Sequence, residues 1–158
     1  MTTFGRTTLG TTGSGVRVSA DGEPEAKPGG ITLDWSTVTA VTSDTTYNDG
    51  IVVPSGQKAL RYGQILCKIT ASGASQGMFG PYASGASDGR QTLTRGSCYI
   101  LDETVLERNA LGFASPPSDH PAVIEGGLLW RDRLLIGGAG QPSVANFETV
   151  FPRARYAQ

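Results

Sequence analysis

The sequence predicts a mainly β fold with minor α content (β-rich α+β): a small β-sheet or barrel-like domain with an extended N-terminal arm. Three observations predict it. Apolar residues come in short runs, some with a period of two. Clusters such as Asn48-Asp49-Gly50 and Pro54-Ser55-Gly56 separate the runs as turns do. Only two short stretches read as helix, one from its cap and one from helical spacing of apolar residues. A chain of 158 residues fits one compact domain plus a tail. The reading divides it into an arm, residues 1–30, and a β-rich domain, residues 31–158.

The arm is rich in Thr, Gly and Ser and has few large apolar side chains. Alone it cannot offset the entropy of ordering, so it is expected to be flexible until a partner orders it. Pro28, Gly29 and Gly30 punctuate its end. Beyond them Ile31, Leu33 and Trp35 alternate with Thr32 and Asp34, the period of a strand with one apolar face. Residues 37–42 continue it in β-branched side chains. Residues 51–53 form a short strand after the Asn-Asp-Gly turn. Residues 64–70 are nearly continuous in apolar character, which predicts a strand buried on both faces.

Residues 71–89 read as a long polar loop interrupted by an apolar patch at 78–82. Residues 96–101 are the next strand. Asp102 has the chemistry of an N-cap, with Glu103 near the positive helix end, so a short helix is expected over 102–110. Pro116 and Pro117 stop it. Residues 122–134 read as a β-hairpin turning at Glu125-Gly126-Gly127, where glycine supplies positive φ. Near the end, Ser143 caps a second short helix that puts Val144, Phe147, Val150 and Phe151 on one face, and Pro152 ends it.

Composition excludes several classes of function. Net charge is −1 and the pI about 5.8, without the basic excess of a nucleic-acid binder. No run approaches the roughly twenty apolar residues of a membrane span. The first residues lack the basic-then-apolar layout of a signal peptide, so the chain is expected to be made and kept in the cytoplasm. Arg outnumbers Lys ten to three, which suits fixed bidentate contacts at protein interfaces. Arg131, Arg133, Arg153 and Arg155 read as solvated surface or as a basic face toward an acidic partner. Cys67 and Cys98, the only cysteines, lie in apolar runs and read as buried free thiols; a disulfide requires that their strands be neighbours.

Motifs that could carry chemistry do not assemble into a catalytic site. Gly73-Ala74-Ser75-Gln76-Gly77 matches a nucleophile elbow, and Asp102 and His120 follow in hydrolase order. The next residues, Met-Phe-Gly-Pro-Tyr, cannot form the helix an elbow needs, and Gly85-Ala86-Ser87-Asp88-Gly89 repeats the pattern. His120 is the only histidine and anchors no metal site. Gly137-Gly138-Ala139-Gly140 lacks the Lys and Ser/Thr of a phosphate loop. Glu25, Asp44 and Asp49 lack calcium-loop spacing. Trp35, Phe79, Tyr82 and Tyr99 read as core or interface packing. No enzyme, cofactor or metal is expected.

One family does match in order and layout. A Gly/Ser/Thr-rich arm is followed by Gly63-Gln64-Ile65-Leu66, by Gly80-Pro81-Tyr82 with Asp88-Gly89-Arg90 shortly after, by the 96–101 strand, and by the segment about Glu125-Gly126-Gly127. In this the chain resembles the bacteriophage lambda head decoration protein D family over about residues 31–136. It departs in a longer insertion between Asp102 and Pro121 and a longer C-terminal tail. The resemblance implies a capsid decoration, or cement, protein on the exterior of the virion. It implies a homotrimer at local threefold axes, bound to the major capsid protein after head expansion and holding the shell against internal DNA pressure. No direct nucleic-acid or membrane contact is implied. The arm is the implied capsid-binding element, adding a strand to an exposed sheet edge. Ile31, Leu33, Val38 and Val41 would supply the alternate side chains and Trp35 the aromatic anchor, its other reading being a core position. Alternatives are another virion part, for tail or fibre attachment, and a carbohydrate-binding β-module using Tyr82 or Trp130.

Overall fold

The computed structural model describes residues 19–47, 49–108, 121–130, 134–136, 150–152 and 154–157. The strands in chain order are β1 (Ser19–Ala26), β2 (Thr45–Thr46), β3 (Val52–Val53), β4 (Ala59–Leu60), β5 (Ile65–Lys68), β6 (Phe79–Pro81), β7 (Cys98–Leu101), β8 (Val105–Leu106), β9 (Val123–Trp130) and β10 (Ala154–Ala157). A 3-10 turn, Trp35–Thr37, lies between β1 and β2. The principal sheet runs β1-β9-β7-β5-β6, with β10 alongside the far half of β9. All its pairings are antiparallel except β10 with β9. β2 pairs with β3, and β4 with β8, in two small sheets. The β-rich fold class is therefore as the sequence predicts.

The principal sheet is buried on both faces, because its central strands have no polar face to give to water. Ile65, Cys67, Cys98, Ile100 and Ile124 point into one core, closed by Leu129, Leu134, Val150 and Phe151. The intervening residues Leu66, Tyr99, Leu101 and Val123 point into a second core, closed by Ile31, Leu33, Val38, Leu60, Phe79 and Val105. Strand registers confirm the alternation. Ile65 faces Ile100 and Cys67 faces Cys98, while Leu66 faces Tyr99 between them. In the second core the Phe79 and Tyr99 rings meet at 5.5 Å and a tilt of 58°, a favourable aromatic geometry.

Glycine sets the course of β9. Its residues 123–124 pair with β7, and 127–130 pair with β10 on that same side. Gly127 has φ +113°, and β1 shifts register opposite this stretch. Ile124 and Leu129 lie an odd number of residues apart, yet both belong to the first core. An irregularity between them changes the phase of the strand, as a bulge does. The hairpin expected over 122–134 is corrected accordingly. Glu125-Gly126-Gly127 bends one continuous strand instead of reversing it.

Other expectations change too. Residues 19–26, placed within the flexible arm, form β1 and pair with β9; residues 1–18 lie outside the described residues. Residues 31–42 are not a regular strand. Leu33 makes a single bridge to Phe79 and Ala40 one to Lys58, with the 3-10 turn between. Asp34 caps that turn, its carboxylate accepting from the Ser36 N–H at 2.9 Å. The helix expected from Asp102 is absent through Arg108, the last described residue of 102–110. The Asp102 N–H donates to the Ala122 carbonyl, and buried Val105 pairs through β8 with Leu60. The second expected helix, from Ser143, falls mostly outside the described residues. Among the described residues no helix is long and apolar enough to cross a membrane.

If the doubly covered sheet holds the fold together, Leu66→Ala should lower the unfolding free energy by about 2–5 kcal/mol. Val52→Ala, at a side chain 56% exposed, should cost less than about 0.5 kcal/mol. Equilibrium urea unfolding of both variants measures the difference.

Candidate functional site: an arginine-lined groove

A groove of about 650 Å³ opens between the 37–39 segment, Tyr47, the β4–β5 connection and the loop after β6. The sequence builds each wall locally. Gly63, with φ +81°, turns the chain into β5, and the side chain of Gln64 accepts from the Arg61 N–H at 3.1 Å. That turn presents Arg61 to the groove, its guanidinium carbon 4.9 Å from the Tyr47 ring centre. Burial pushes the Tyr47 hydroxyl up, against the opposing pull of Arg61 and with a further rise from Asp49, so it remains a neutral hydrogen-bonding group.

Arg90 forms the opposite wall. Its Nε donates to Asp88 Oδ2 at 2.9 Å, its Nη1 to the Pro81 carbonyl at 3.2 Å, and its backbone N–H to Asp88 Oδ1 at 3.1 Å. This clasp fixes the guanidinium against β6 before any partner arrives. It needs small residues around it. A Cβ at Gly80 would collide with the Thr37 side chain and with Cδ of Arg90. Gly89, at φ +112°, has backbone and side-chain atoms of Thr70 where a Cβ would stand.

The groove's lining contains two guanidinium groups and no carboxylate. Among the described residues Arg61 has no ion-pair partner. Its donors can therefore meet a carboxylate or another anionic oxygen, with Thr37, Thr39, Gln64 and Ser84 supplying neutral polar contacts.

The side chains that the sequence assigned to capsid contact lie elsewhere. Ile31, Leu33 and Val38 are at most 7% exposed, inside the second core. Trp35 is half-buried against that core, and its carbonyl accepts from Lys58 Nζ at 2.7 Å. Val41 is partly exposed and bonds through its backbone to Gln57 and Gly56. These residues close the body of the protein, so the assignment of Ile31, Leu33 and Val38 to an outside surface is corrected. Burial of that alternating face is the physical reason. Trp35 likewise takes its core reading.

The elbow-like Ser75 sits in a tight turn, with Gln76 N–H bonded to Gly73 O and Met78 N–H to Ser75 O, and β6 follows instead of a helix. Its side chain helps to hold the Asp34 carboxyl below its usual value. His120, Gly137-Gly138-Ala139-Gly140 and Arg131, Arg133 and Arg153 lie outside the described residues, and Arg155 falls in β10. Asp44 and Asp49 hold turns, accepting from Ser55 N–H at 2.8 Å and Ile51 N–H at 3.1 Å. Among the described residues no three His, Cys, Asp or Glu side chains cluster as metal ligands would. Sequence reasoning passed over the groove. Asp88-Gly89-Arg90 carried a local signal, an acid and a base flanking a glycine. The Arg61–Tyr47 contact carried none, since only the tertiary fold brings the two together.

Comparison with family models, with curated proteins and with solved structures finds no match for this chain.

Two carboxylates make the site's framework acid-sensitive. Burial would raise Asp34, but hydrogen bonds from Ser36 and Ser75 and the Arg90 charge outweigh it and hold the carboxyl below its usual value. Burial also opposes the Asp88 anion, and its bonds from Arg90 again win. A carboxyl depressed in the folded state stabilises fully above its unfolded pKa, about 3.9, and that stability is lost as pH falls through the folded value. The urea midpoint should therefore drop below about pH 4, and Asp34→Asn or Asp88→Asn should make that decline shallower while lowering the midpoint at neutral pH.

Proposed function

We propose that this chain is a phage capsid decoration protein that binds the expanded head as a trimer and braces it without turnover. The observation that carries the reading is where the family-like segments fall in the fold. Gly63-Gln64 opens β5, Gly80-Pro81 ends β6, Asp88-Gly89-Arg90 clasps β6 from outside, 98–101 is β7, and Glu125-Gly126-Gly127 is the bend of β9. These segments are successive joints of one sheet, so the resemblance follows the load-carrying framework of the domain. A sheet packed on both faces suits a brace, since close-packed cores deform little.

With residues 31–38 committed to the core, the shell contact in this reading belongs to two other places. One is residues 1–18, whose Thr/Gly/Ser-rich sequence suits strand addition through backbone bonds alone. The other is the groove at Arg61, whose guanidinium has no ion-pair partner among the described residues and suits an acidic segment of the major capsid protein. Three copies of a weak contact on one trimer reinforce one another.

The test mixes the purified chain with expanded empty heads of the phage that encodes it and counts bound copies. The parent should saturate local threefold positions with three copies each. Removal of residues 1–18 should weaken binding at least about tenfold, as loss of a multivalent contact does. Arg61→Ala should weaken it less and flatten its salt dependence. No binding by the parent, with a monomer in sedimentation, would overturn the reading. A glycan-array signal lost in Tyr82→Ala would replace it with the carbohydrate-binding alternative.

A further inference from the structure

Cys67 and Cys98 stand directly opposite each other on β5 and β7, deep in the first core. The Lys68 N–H bonds to the Ser97 carbonyl just beyond the pair. That pattern makes Cys67 and Cys98 a non-hydrogen-bonded cross-strand pair, the kind in which Cα atoms approach to about 4.5 Å. This separation lies within the range that a disulfide spans. The sulfurs are already 3.1 Å apart. Closing to a bond length of about 2.05 Å needs a movement of about 1 Å.

The two sulfurs are not equivalent. Cys98 borders a small cavity of about 130 Å³ lined also by Arg95, Gly96, Glu125 and Pro152, while Cys67 does not. A water molecule occupies roughly 30 Å³ in the liquid, so the cavity admits a solute of peroxide size. Proton sharing with Cys98, and then burial, hold the Cys67 thiol up, whereas the same shared proton lowers Cys98. Of the two cysteines, Cys98 is thus the one that borders the cavity, and access together with thiolate character governs reactivity.

We propose that Cys67 and Cys98 are an oxidation site for small hydroperoxides, Cys98 reacting first through the cavity and Cys67 closing a disulfide across β5 and β7. In the first step the Cys98 thiolate attacks a peroxide oxygen. The S–O bond forms, the O–O bond breaks, and the departing hydroxide takes a proton to leave as water. In the second step Cys67 sulfur attacks the Cys98 sulfenic acid. The S–S bond forms, the S–O bond breaks, and a second water leaves with the Cys67 proton. Two thiols lose two electrons, and one hydrogen peroxide becomes two waters. The bridge closes a long chain segment, between positions 67 and 98, around the centre of the sheet, so the oxidised form resists unfolding more than the dithiol. This proposal stands independently of the capsid reading.

The experiment treats the full chain with hydrogen peroxide, blocks remaining thiols under denaturing conditions, and maps peptides without reduction. The expected product is an intramolecular Cys67–Cys98 peptide pair lighter by two hydrogens. Its unfolding midpoint should be raised by roughly 5–10 °C and return on reduction. In Cys67→Ala, dimedone should trap a sulfenic acid on Cys98; in Cys98→Ala, Cys67 should stay unmodified in the folded protein. Two free thiols in the treated parent, or a disulfide between chains, would overturn the site whatever the variants do. Dimedone on Cys67 in the folded Cys98→Ala variant would overturn the order of attack.

Discussion

The structure depends on two strands that have no wet face. β5 and β7 send alternate side chains into two separate cores, so each face of the sheet must be covered by chain from elsewhere. Backbone groups there cannot turn to water and must be paired within the sheet. That requirement recruits the remainder of the molecule. The 31–38 segment and the β4–β8 pair close one face, while residues around Leu134 and Val150-Phe151 close the other. Segments with little regular structure of their own are therefore held by what they cover. The 31–38 stretch has only a single bridge and a 3-10 turn, yet Ile31, Leu33 and Val38 are its most buried residues.

How much of this was legible in the sequence follows from the same constraint. Residues 65–68 and 98–101 were readable because continuous apolar character has one cheap solution in a β-rich chain, a strand covered on both sides. Turns at Gly50, Gly56 and Gly63 were readable or partly so, since each adopts a positive φ that glycine tolerates. The alternation at Ile31 and Leu33 correctly marked an apolar face, but periodicity does not say which surface receives it. A partner's surface and the chain's own second core can both receive an apolar face. Val105 shows a different failure. A good cap at Asp102 is a weak local preference, and burial of a β-branched side chain against β4 outweighs it.

The edges were the least legible. β1 is polar, with a proline and a glycine, and its register against β9 is irregular. β10 pairs in parallel with a strand that precedes it in the chain, an arrangement for which a short segment gives no local signal. Both gain their pairing from β9, whose own bend at Gly126-Gly127 looks in sequence like a reversal. A glycine pair between apolar runs is compatible with a tight turn and with a bulge. What selects the bulge here is tertiary: β9 gives up β7 and takes β10 on one side while keeping β1 on the other.

The groove and the thiol pair follow from how the two cores are closed. Loops that leave a doubly covered sheet must pass over its cover, and they meet where the 37–39 segment, the β4–β5 turn and the loop after β6 converge. Arginine suits such a junction. Arg90 can satisfy a loop carbonyl and a carboxylate at once from a planar fork, and Arg61 can sit over an aromatic ring. Inside the sheet, by contrast, no charge is tolerated, and a small apolar pair is what the narrow cross-strand position between β5 and β7 accepts. Cysteine fills that space as a hydrophobe does. A valine pair could serve the core as well, but it could not respond to an oxidant that reaches one member through a cavity.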